Sequence, residues 1–253
     1  MTASTTVFDI GMYDGADTRY YLESGFRVVA VEANPNLVDR AKNTFSAACQ
    51  SGHLILVNAA VWDRSDTSIS LNISGDDLGA SSVVDAFAKD RNITAHHSVA
   101  CVTITDLIER FGRPHFIKVD IEGADRHCIL PLTSDNRPDY LSFEVGADMR
   151  ELLAHLVSIG FSAFKAVNQR SFLEMSRERN LVDRAKRKVI HALGYDKPEM
   201  VRRDRRWFRL GHSAGPLPWC SDGHWHSHED LLRQWQAVVA RGPLQGWYDV
   251  QAK

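Results

Sequence analysis

Short β-rich apolar runs alternate with helical stretches over the first 165 residues, and this alternation strongly limits the possible folds. The run Arg27–Glu32 reads RVVAVE without polar alternation, which is typical of a strand covered on both faces. The other predicted strands of the series are Val7–Ile10, Leu54–Asn58, Ser68–Ile73, Ser98–Ile104, His115–Asp120, Tyr140–Glu144 and Phe161–Val167. The repeated order of strand, helix and strand predicts an α/β fold, with a mostly parallel central sheet and helices on both faces.

The predicted helices lie between these strands, at Asp14–Ser24, from Asn34-Pro35 onward, and at Thr105–Phe111, Gly123–Leu130 and Met149–Ile159. Asn34 is a good N-cap residue, and a proline is favoured at the first helical position. Near the end of the chain, Ser227-His-Glu-Asp230 has the pattern of a capping box, which predicts a final helix over about Glu229–Arg241. We expect a single domain over residues 1–253, with a C-terminal extension over 211–253.

The composition changes after Phe172. Between Arg177 and Arg209 there are twelve lysines and arginines against five acidic residues, and residues 181–193 have the spacing of an amphipathic helix. A further strand is predicted at Arg206–Leu210. We interpret residues 172–205 as a helical, lid-like insertion that recruits an anionic substrate, although a solvated helical excursion packed on the sheet has the same pattern.

The overall charge and the cysteines exclude several classes of protein. Thirty lysines and arginines against thirty-two acidic residues give a net charge of −2, which argues against a general nucleic-acid binder. No apolar run approaches the roughly 18–20 residues of a membrane span, and MTASTTVFDI lacks the features of a signal peptide. Cys49, Cys101, Cys128 and Cys220 form no C-x-x-C pair, which suits a reducing compartment. We therefore expect a cytoplasmic protein without a membrane partner.

Polar and mostly acidic residues stand at the carboxyl ends of the predicted parallel strands, where open α/β sheets bind their ligands. After the first strand, Gly11 and Gly15 allow the backbone to approach a ligand closely. Glu32 ends the second strand, twenty-one residues after Gly11, near the spacing of a carboxylate that accepts both ribose hydroxyls. The dinucleotide motif G-x-G-x-x-G is incomplete, because Tyr13 stands at its middle glycine.

Acidic residues around the first loop indicate which nucleotide binds. Asp9, Asp14 and Asp17 surround the turn and would repel a pyrophosphate, which helix N-termini otherwise attract. They would attract a ligand that combines a ribose with an ammonium and a sulfonium. This pattern predicts S-adenosylmethionine as cofactor, with S-adenosylhomocysteine as its product. A reductase that uses NAD, or a non-catalytic nucleotide-binding module, is an alternative; the missing glycines and the acidic first loop argue against NAD.

Four segments resemble the FkbM-type methyltransferases. They are VFDIGMYDGADTRYYLESGFRVVAVEANP from residue 7, IKVDIEGAD at 117–125, VTITDLIERFG from residue 102 and GWYDVQA from residue 246. The resemblance extends over nearly the whole chain. It implies a class I Rossmann-like methyltransferase fold and methyl transfer to hydroxyl groups of sugars, glycosides or polyketide-type natural products.

The resemblance also implies which residues hold the cofactor. By position, the methionine moiety falls to Asp9, Gly11 and Gly15, the ribose to Glu32, and the adenine to Asn58 and Ala59. Ser82, together with Ser81, matches a serine-rich stretch near the cofactor. Ala33 stands where a proline often follows the glutamate, which changes the packing at the adenine. Gln251 replaces a frequent histidine, so we assign it no catalytic role.

Three further candidates have a structural alternative. Tyr13 and Thr18 fit contacts to the cofactor, but helix packing explains them nearly as well. Asn34 fits an N-cap better than it fits an adenine contact.

Methylation of an alcohol requires removal of its proton. Asp120, which ends the central strand, is the predicted base, and Glu144 at the end of the neighbouring strand is the second candidate. The alternative is that Asp120 only positions the cofactor's amino group or a loop amide. The same two carboxylates could hold Mg²⁺, an option that we do not favour. Cys220 with His224, His226 and His228 suits zinc by residue type, but its irregular spacing favours a loop at a helix entry.

The predicted partner is a small hydroxylated acceptor, and the basic region favours one that carries a phosphate. The alternative function is an RNA methyltransferase that uses the basic region 177–209, with Trp207 and Phe208 as stacking aromatics. Against a nucleic acid, the rest of the chain is acidic and contains no N-P-P-Y-type tetrapeptide.

Overall fold

The computed structural model describes residues 5–75, 81–85, 89, 92–169, 171–175, 200–221, 223–240 and 247–253. Seven strands, numbered in chain order, form the central sheet. From one edge to the other they are β3 (Leu54–Asn58), β2 (Arg27–Glu32), β1 (Thr6–Ile10), β7 (Phe116–Val119), β8 (Tyr140–Glu144), β12 (Tyr248–Ala252) and β9 (Phe164–Asn168). The first five are parallel to one another. The predicted α/β fold with a mostly parallel sheet is confirmed.

Strand β12 is antiparallel to both β8 and β9, and it lies between them. The sequence analysis predicted no strand at this place. All five residues of β12 are buried, so the segment is part of the central sheet.

Seven helices are present in the described ranges. They are α1 (Ala16–Glu23), α2 (Pro35–Thr44), α3 (Ser46–Gln50), α4 (Ile104–Phe111), α5 (Asp125–Ile129), α6 (Met149–Ser158) and α7 (His228–Val239). The predicted caps are present: the side chain of Asn34 accepts a hydrogen bond from the amide of Asn36, and the hydroxyl of Ser227 accepts one from the amide of Asp230. Each such cap contributes about 1 kcal/mol to helix stability.

Two smaller sheets accompany the central one. β4 (Ala60–Val61), β6 (Ile93–Val102) and β5 (Ser68–Ser74) form a three-stranded sheet, and β10 (Met200–Arg203) pairs with β11 (Arg206–Arg209). The strand predicted at Arg206–Leu210 therefore forms one arm of a hairpin. The predicted helix at 181–193 lies outside the described residues, so the lid-like insertion is described only at its two ends.

Apolar side chains cover the central sheet on both faces. Along β1, Phe8 and Ile10 point to the face covered by α4, α5, α6 and α7, whereas Val7 points to the face covered by α1 and α2. In a strand that is buried on both faces, each large apolar side chain contributes about 1.5–3 kcal/mol to the stability of the fold. The carboxyl ends of β1, β2, β7 and β8 meet at one edge of this core, as parallel strands require. In the described residues, no helix has the length and apolarity needed to cross a bilayer.

Candidate active site

A cavity of about 550 Å³ opens at the carboxyl ends of β1, β2, β7 and β8. This volume is within the range of small-molecule sites. The structure brings eight of the predicted site residues together as part of its lining: Gly11, Tyr13, Glu32, Ala33, Ala59, Ser82, Asp120 and Glu144. These predicted residues therefore lie together at the carboxyl ends of the parallel strands.

Glu32 is fixed in the wall of the cavity by two backbone amides. Its Oε2 accepts a hydrogen bond from the amide of Tyr13 at 2.9 Å, and its Oε1 accepts one from the amide of Asn34 at 2.8 Å. Burial raises the pKa of Glu32 to about 7. The bonds hold the carboxylate in one orientation, and each oxygen keeps a lone pair for a ligand hydroxyl.

Five predicted cofactor contacts, Asp9, Gly15, Thr18, Asn34 and Asn58, are not among the lining residues and support the wall from behind. Asp9 is fully buried and accepts a hydrogen bond of 2.5 Å from the hydroxyl of Thr18. Burial raises the pKa of Asp9. The two residues join β1 to α1, so the packing interpretation of Thr18 describes its position.

The remaining three support the first loops. Gly15 has a φ of 82° at the start of α1, where a Cβ would meet the ring of Phe45 at 2.6 Å. Asn34 is the N-cap of α2, as the sequence favoured. The side chain of Asn58 donates hydrogen bonds to the carbonyl oxygens of Glu32 and Ala33, at 2.9 and 3.1 Å, and so joins the ends of β2 and β3.

Lys118 is a central charge of the site that the sequence analysis did not assign. Its Nζ donates a hydrogen bond of 2.8 Å to the carbonyl oxygen of Gly11, and it lies 3.6 Å from Asp9, 3.9 Å from Asp17 and 3.3 Å from Asp120. Burial alone would lower the pKa of Lys118, but the three carboxylates raise it above its ordinary value. Side chains alternate along a strand, so the sequence places Lys118 and Asp120 on one face. This pattern could have identified Lys118 as a residue of the site.

The segment of residues 211–215 contributes Gly211, His212, Ser213 and Ala214 to the lining of the cavity. The amide of Ala214 donates a hydrogen bond of 2.9 Å to Asp17, and the hydroxyl of Ser213 bonds to the same carboxylate. Burial raises the pKa of Asp17 to about 6. Next in the chain, Nδ1 of His212 lies 2.6 Å from Oδ2 of Asp14. The sequence analysis missed this segment, because its glycines predict only a turn.

The far rim of the cavity is acidic. Burial, together with the neighbouring Asp120, raises the pKa of Glu144 to about 9. This carboxyl group therefore holds its proton near neutral pH, which argues against a free base at this position. Behind it, Gln169 lines the cavity and donates a hydrogen bond of 2.7 Å to Asp249, whose pKa is raised well above its ordinary value by burial.

Ser82 connects two loops at the cavity wall. Its backbone pairs with Asn72, and its hydroxyl donates a hydrogen bond of 2.8 Å to the carbonyl oxygen of Glu122. Glu122 has a φ of 52°, a strained value for a residue with a side chain. Glu122 precedes α5 and lines the cavity. The acidic residue in the first turn of that helix is Asp125.

Charges of one sign dominate the lining. Seven acidic residues line the cavity: Asp17, Glu32, Asp120, Glu122, Asp125, Glu144 and Asp148. Among the described residues that line it, Lys118 is the one lysine or arginine. Such a surface attracts a cationic ligand and repels a pyrophosphate.

The described residues contain no group of three or more histidines, cysteines or carboxylates arranged to hold a metal ion. Within those residues, Cys220 and the three neighbouring histidines do not form such a group. Of the two aromatics predicted to stack on RNA, Trp207 is 47% exposed, whereas Phe208 is 4% exposed and packs in the core. Phe208 is therefore not available for stacking.

The family model described as "Methyltransferase FkbM domain" matches residues 9–175 of the chain, which is more than half of its 253 residues. No curated protein matches the chain.

The solved structures that are similar to the chain include three methyltransferases. The methyltransferase FkbM from Methylobacillus flagellatus KT is 17% identical, with a TM-score of 0.43; the match covers 63% of this chain and 39% of that one. The chain thus spans well under half the length of that protein. Precorrin-6y C5,15-methyltransferase from Geobacter metallireducens GS-15 is 10% identical, with a TM-score of 0.42; the match covers 100% of this chain and 81% of that one. A SAM-dependent methyltransferase from Thiobacillus denitrificans, in complex with S-adenosyl-L-homocysteine, is 10% identical, covering 99% and 85%, with a TM-score of 0.36.

Proposed function

The chain belongs to the FkbM methyltransferase family, and from this premise we propose that it is an S-adenosylmethionine-dependent O-methyltransferase. The proposed acceptor is a hydroxyl group of a sugar, a glycoside or a polyketide-type natural product. The observation that carries the proposal is the cavity itself, where Glu32 is oriented by two amides in a lining of seven acidic residues.

The residues of the cavity fit the parts of this cofactor. Glu32 presents two oxygens that can accept the ribose hydroxyls, and Ala33 and Ala59 add small apolar side chains to the lining, which suits an adenine. Gly11 lines the cavity and lets the end of β1 approach the carbonyl group of Asp120, where a Cβ would clash with the backbone. The acidic groups around Lys118 leave a net negative charge, which suits an ammonium and a sulfonium.

Bound S-adenosylmethionine would be held by Glu32 and the acidic lining, and it would supply an electrophilic methyl group. The chain's own residues bind and orient the two reactants. Asp120, half-exposed at the rim and 3.3 Å from Nζ of Lys118, is placed to accept a hydrogen bond from the acceptor hydroxyl. Glu144, which carries a proton, is placed to donate one.

Replacing Glu32 by alanine should weaken the binding of S-adenosylhomocysteine roughly 30- to 150-fold, which corresponds to about 2–3 kcal/mol for lost hydrogen bonds to a charged group. Calorimetric titration measures this change. Glu32→Gln keeps the shape and one acceptor oxygen, so we expect an intermediate affinity. Glu109→Gln, at an exposed position of α4, is the matched control and should bind as the unaltered protein does. Equal affinity in Glu32→Ala would contradict the ribose assignment.

Replacing Asp120 by asparagine should lower methyl transfer far more than it lowers cofactor affinity. Loss of the carboxylate removes a charge-assisted hydrogen bond to the acceptor, worth about 1.5–3 kcal/mol, or roughly a 10- to 150-fold lower kcat. Formation of S-adenosylhomocysteine from S-adenosylmethionine, measured in parallel with calorimetric binding, separates the two effects. An equal loss of turnover and affinity would show that Asp120 belongs to the cofactor site.

A further inference from the structure

His212 lies in the wall of the same cavity as Asp120 and Glu144. Its Nδ1 is 2.6 Å from Oδ2 of Asp14, and its ring centroid is 5.3 Å from that of Tyr13. The side chain keeps 21% of its exposure. No described residue forms a hydrogen bond with Nε2, so this nitrogen is the polar atom of the imidazole left for a ligand.

The imidazole is held firmly, although it stands in a loop. On its partner's side, Oδ1 of Asp14 accepts a hydrogen bond of 3.1 Å from the amide of Ala16, which orients the carboxylate. On the chain side, the next two residues, Ser213 and Ala214, both bond to the buried carboxylate of Asp17. The first turn of α1 and the residues before it therefore fix both the ring and the backbone that carries it.

The orientation of the ring determines its chemistry. A neutral imidazole that donates its Nδ1–H to a carboxylate keeps a lone pair on Nε2. The same carboxylate stabilises the imidazolium that forms when Nε2 takes up a proton. Asp14 and His212 thus form an acid–base pair in the cavity wall, in which Nε2 is the nitrogen left to accept a proton.

The two carboxyl groups at the rim are less suited to take a proton. Glu144 already holds one near neutral pH, because burial raises its pKa to about 9. Asp120 forms an ion pair with Lys118, whose Nζ lies 3.3 Å from its Oδ2. A proton on Asp120 would leave the buried ammonium with less of its compensating charge.

We propose that His212 is the general base that takes the proton of the acceptor hydroxyl, and that Asp14 is its positioning residue; this inference rests on the proposed function. The acceptor oxygen forms its new bond to the methyl carbon while its proton moves to Nε2 of His212. The electron pair of the broken methyl–sulfur bond stays on sulfur, which becomes a neutral thioether. The imidazolium is paired with Asp14, and it loses its proton to solvent after the product leaves.

The first test concerns the imidazole alone and requires no acceptor. Long-range ¹H–¹⁵N correlation spectra at a pH where free imidazoles are neutral assign the tautomer of His212 in the protein without ligand. We expect the Nδ1–H form in the unaltered protein and a mixture of tautomers in Asp14→Asn. An Nε2–H form in the unaltered protein would overturn the proposal, because no lone pair would then face the cavity.

The second test measures turnover with S-adenosylmethionine and methyl β-D-glucopyranoside, with release of S-adenosylhomocysteine as the signal. His212→Gln should lower kcat by about 100-fold or more, the contribution typical of a general base. Its affinity for S-adenosylhomocysteine should stay within about threefold, less than the tenfold that 1.4 kcal/mol represents. Imidazole added to His212→Ala should restore part of the rate. Unchanged turnover in His212→Gln would overturn the proposal.

A second histidine provides the matched control. His115 also pairs with a carboxylate, since its Nδ1 lies 2.8 Å from Oδ2 of Asp139, but it precedes β7 at the opposite edge of the sheet and does not line the cavity. His115→Gln should therefore keep its turnover. Failure of the unaltered protein to bind S-adenosylhomocysteine would contradict the proposed function instead, and the tautomer spectra would still decide the arrangement of His212.

Discussion

Replacing Gly11 by alanine is expected to lower the free energy of unfolding by more than about 4 kcal/mol, a loss that few single substitutions produce. A Cβ at this position would lie 1.8 Å from the carbonyl oxygen of Asp120 and 2.8 Å from its carbonyl carbon. Both are backbone atoms of Asp120, directly after the central strand β7, so they cannot move aside cheaply. The φ of 82° adds about 1–2 kcal/mol of strain for any residue with a side chain. Urea denaturation measures the change.

Gly25→Ala is the matched control for this prediction. Gly25 has a nearly identical φ of 88°, but a Cβ there would meet no atom within 4 Å. Gly25→Ala should therefore lower the free energy of unfolding only by the strain of about 1–2 kcal/mol. An equal loss of unfolding free energy in the two variants would contradict the close approach of Gly11 to the backbone of Asp120.

Replacing Lys118 by methionine should destabilise the fold by about 3–5 kcal/mol, because it leaves buried carboxylates without their compensating charge. Asp9 and Asp17 are both buried, and Asp9 has one carboxylate oxygen that no described atom hydrogen-bonds. Methionine has a similar length, so the loss reports the charge and its hydrogen bond to Gly11 rather than a cavity. The urea midpoint is again the measurement.

Lys42→Met is the corresponding control at the surface. Lys42 pairs with Asp39 at 2.9 Å, but both side chains are largely exposed. Exposed ion pairs contribute about 0–1 kcal/mol. A loss at Lys118 no larger than the loss at Lys42 would show that the buried carboxylates do not depend on the ammonium.

Much of the fold could be predicted from local pattern. Continuous apolar runs such as Arg27–Glu32 are a direct consequence of burial on both faces of a parallel sheet, and they marked the strands correctly. The position of Glu32 followed as well, because parallel strands bring their carboxyl ends to one edge. Asn34 could be assigned as a cap, since an Asn-Pro pair before a helical stretch has one common local structure.

Other features depend on contacts between distant parts of the chain, which local pattern does not encode. β12 is a short antiparallel strand whose pairing with β8 and β9 is set by the finished sheet. The contacts of Ser213 and Ala214 with Asp17 join positions that are 196 and 197 residues apart in the chain. Lys118 was visible as a residue of a strand, but its role required the three carboxylates around it. Asp9 and Thr18 show the reverse case, because their polar side chains suggested a ligand and instead bond to each other.

The most direct test of the account is calorimetric titration of the protein with S-adenosylhomocysteine, and separately with NAD. The acidic lining and the fixed carboxylate of Glu32 predict binding of S-adenosylhomocysteine with a dissociation constant on the order of micromolar, about −8 kcal/mol, and no heat of binding with NAD. Preferential binding of NAD, or no binding of S-adenosylhomocysteine, would contradict the assignment of this cavity to S-adenosylmethionine.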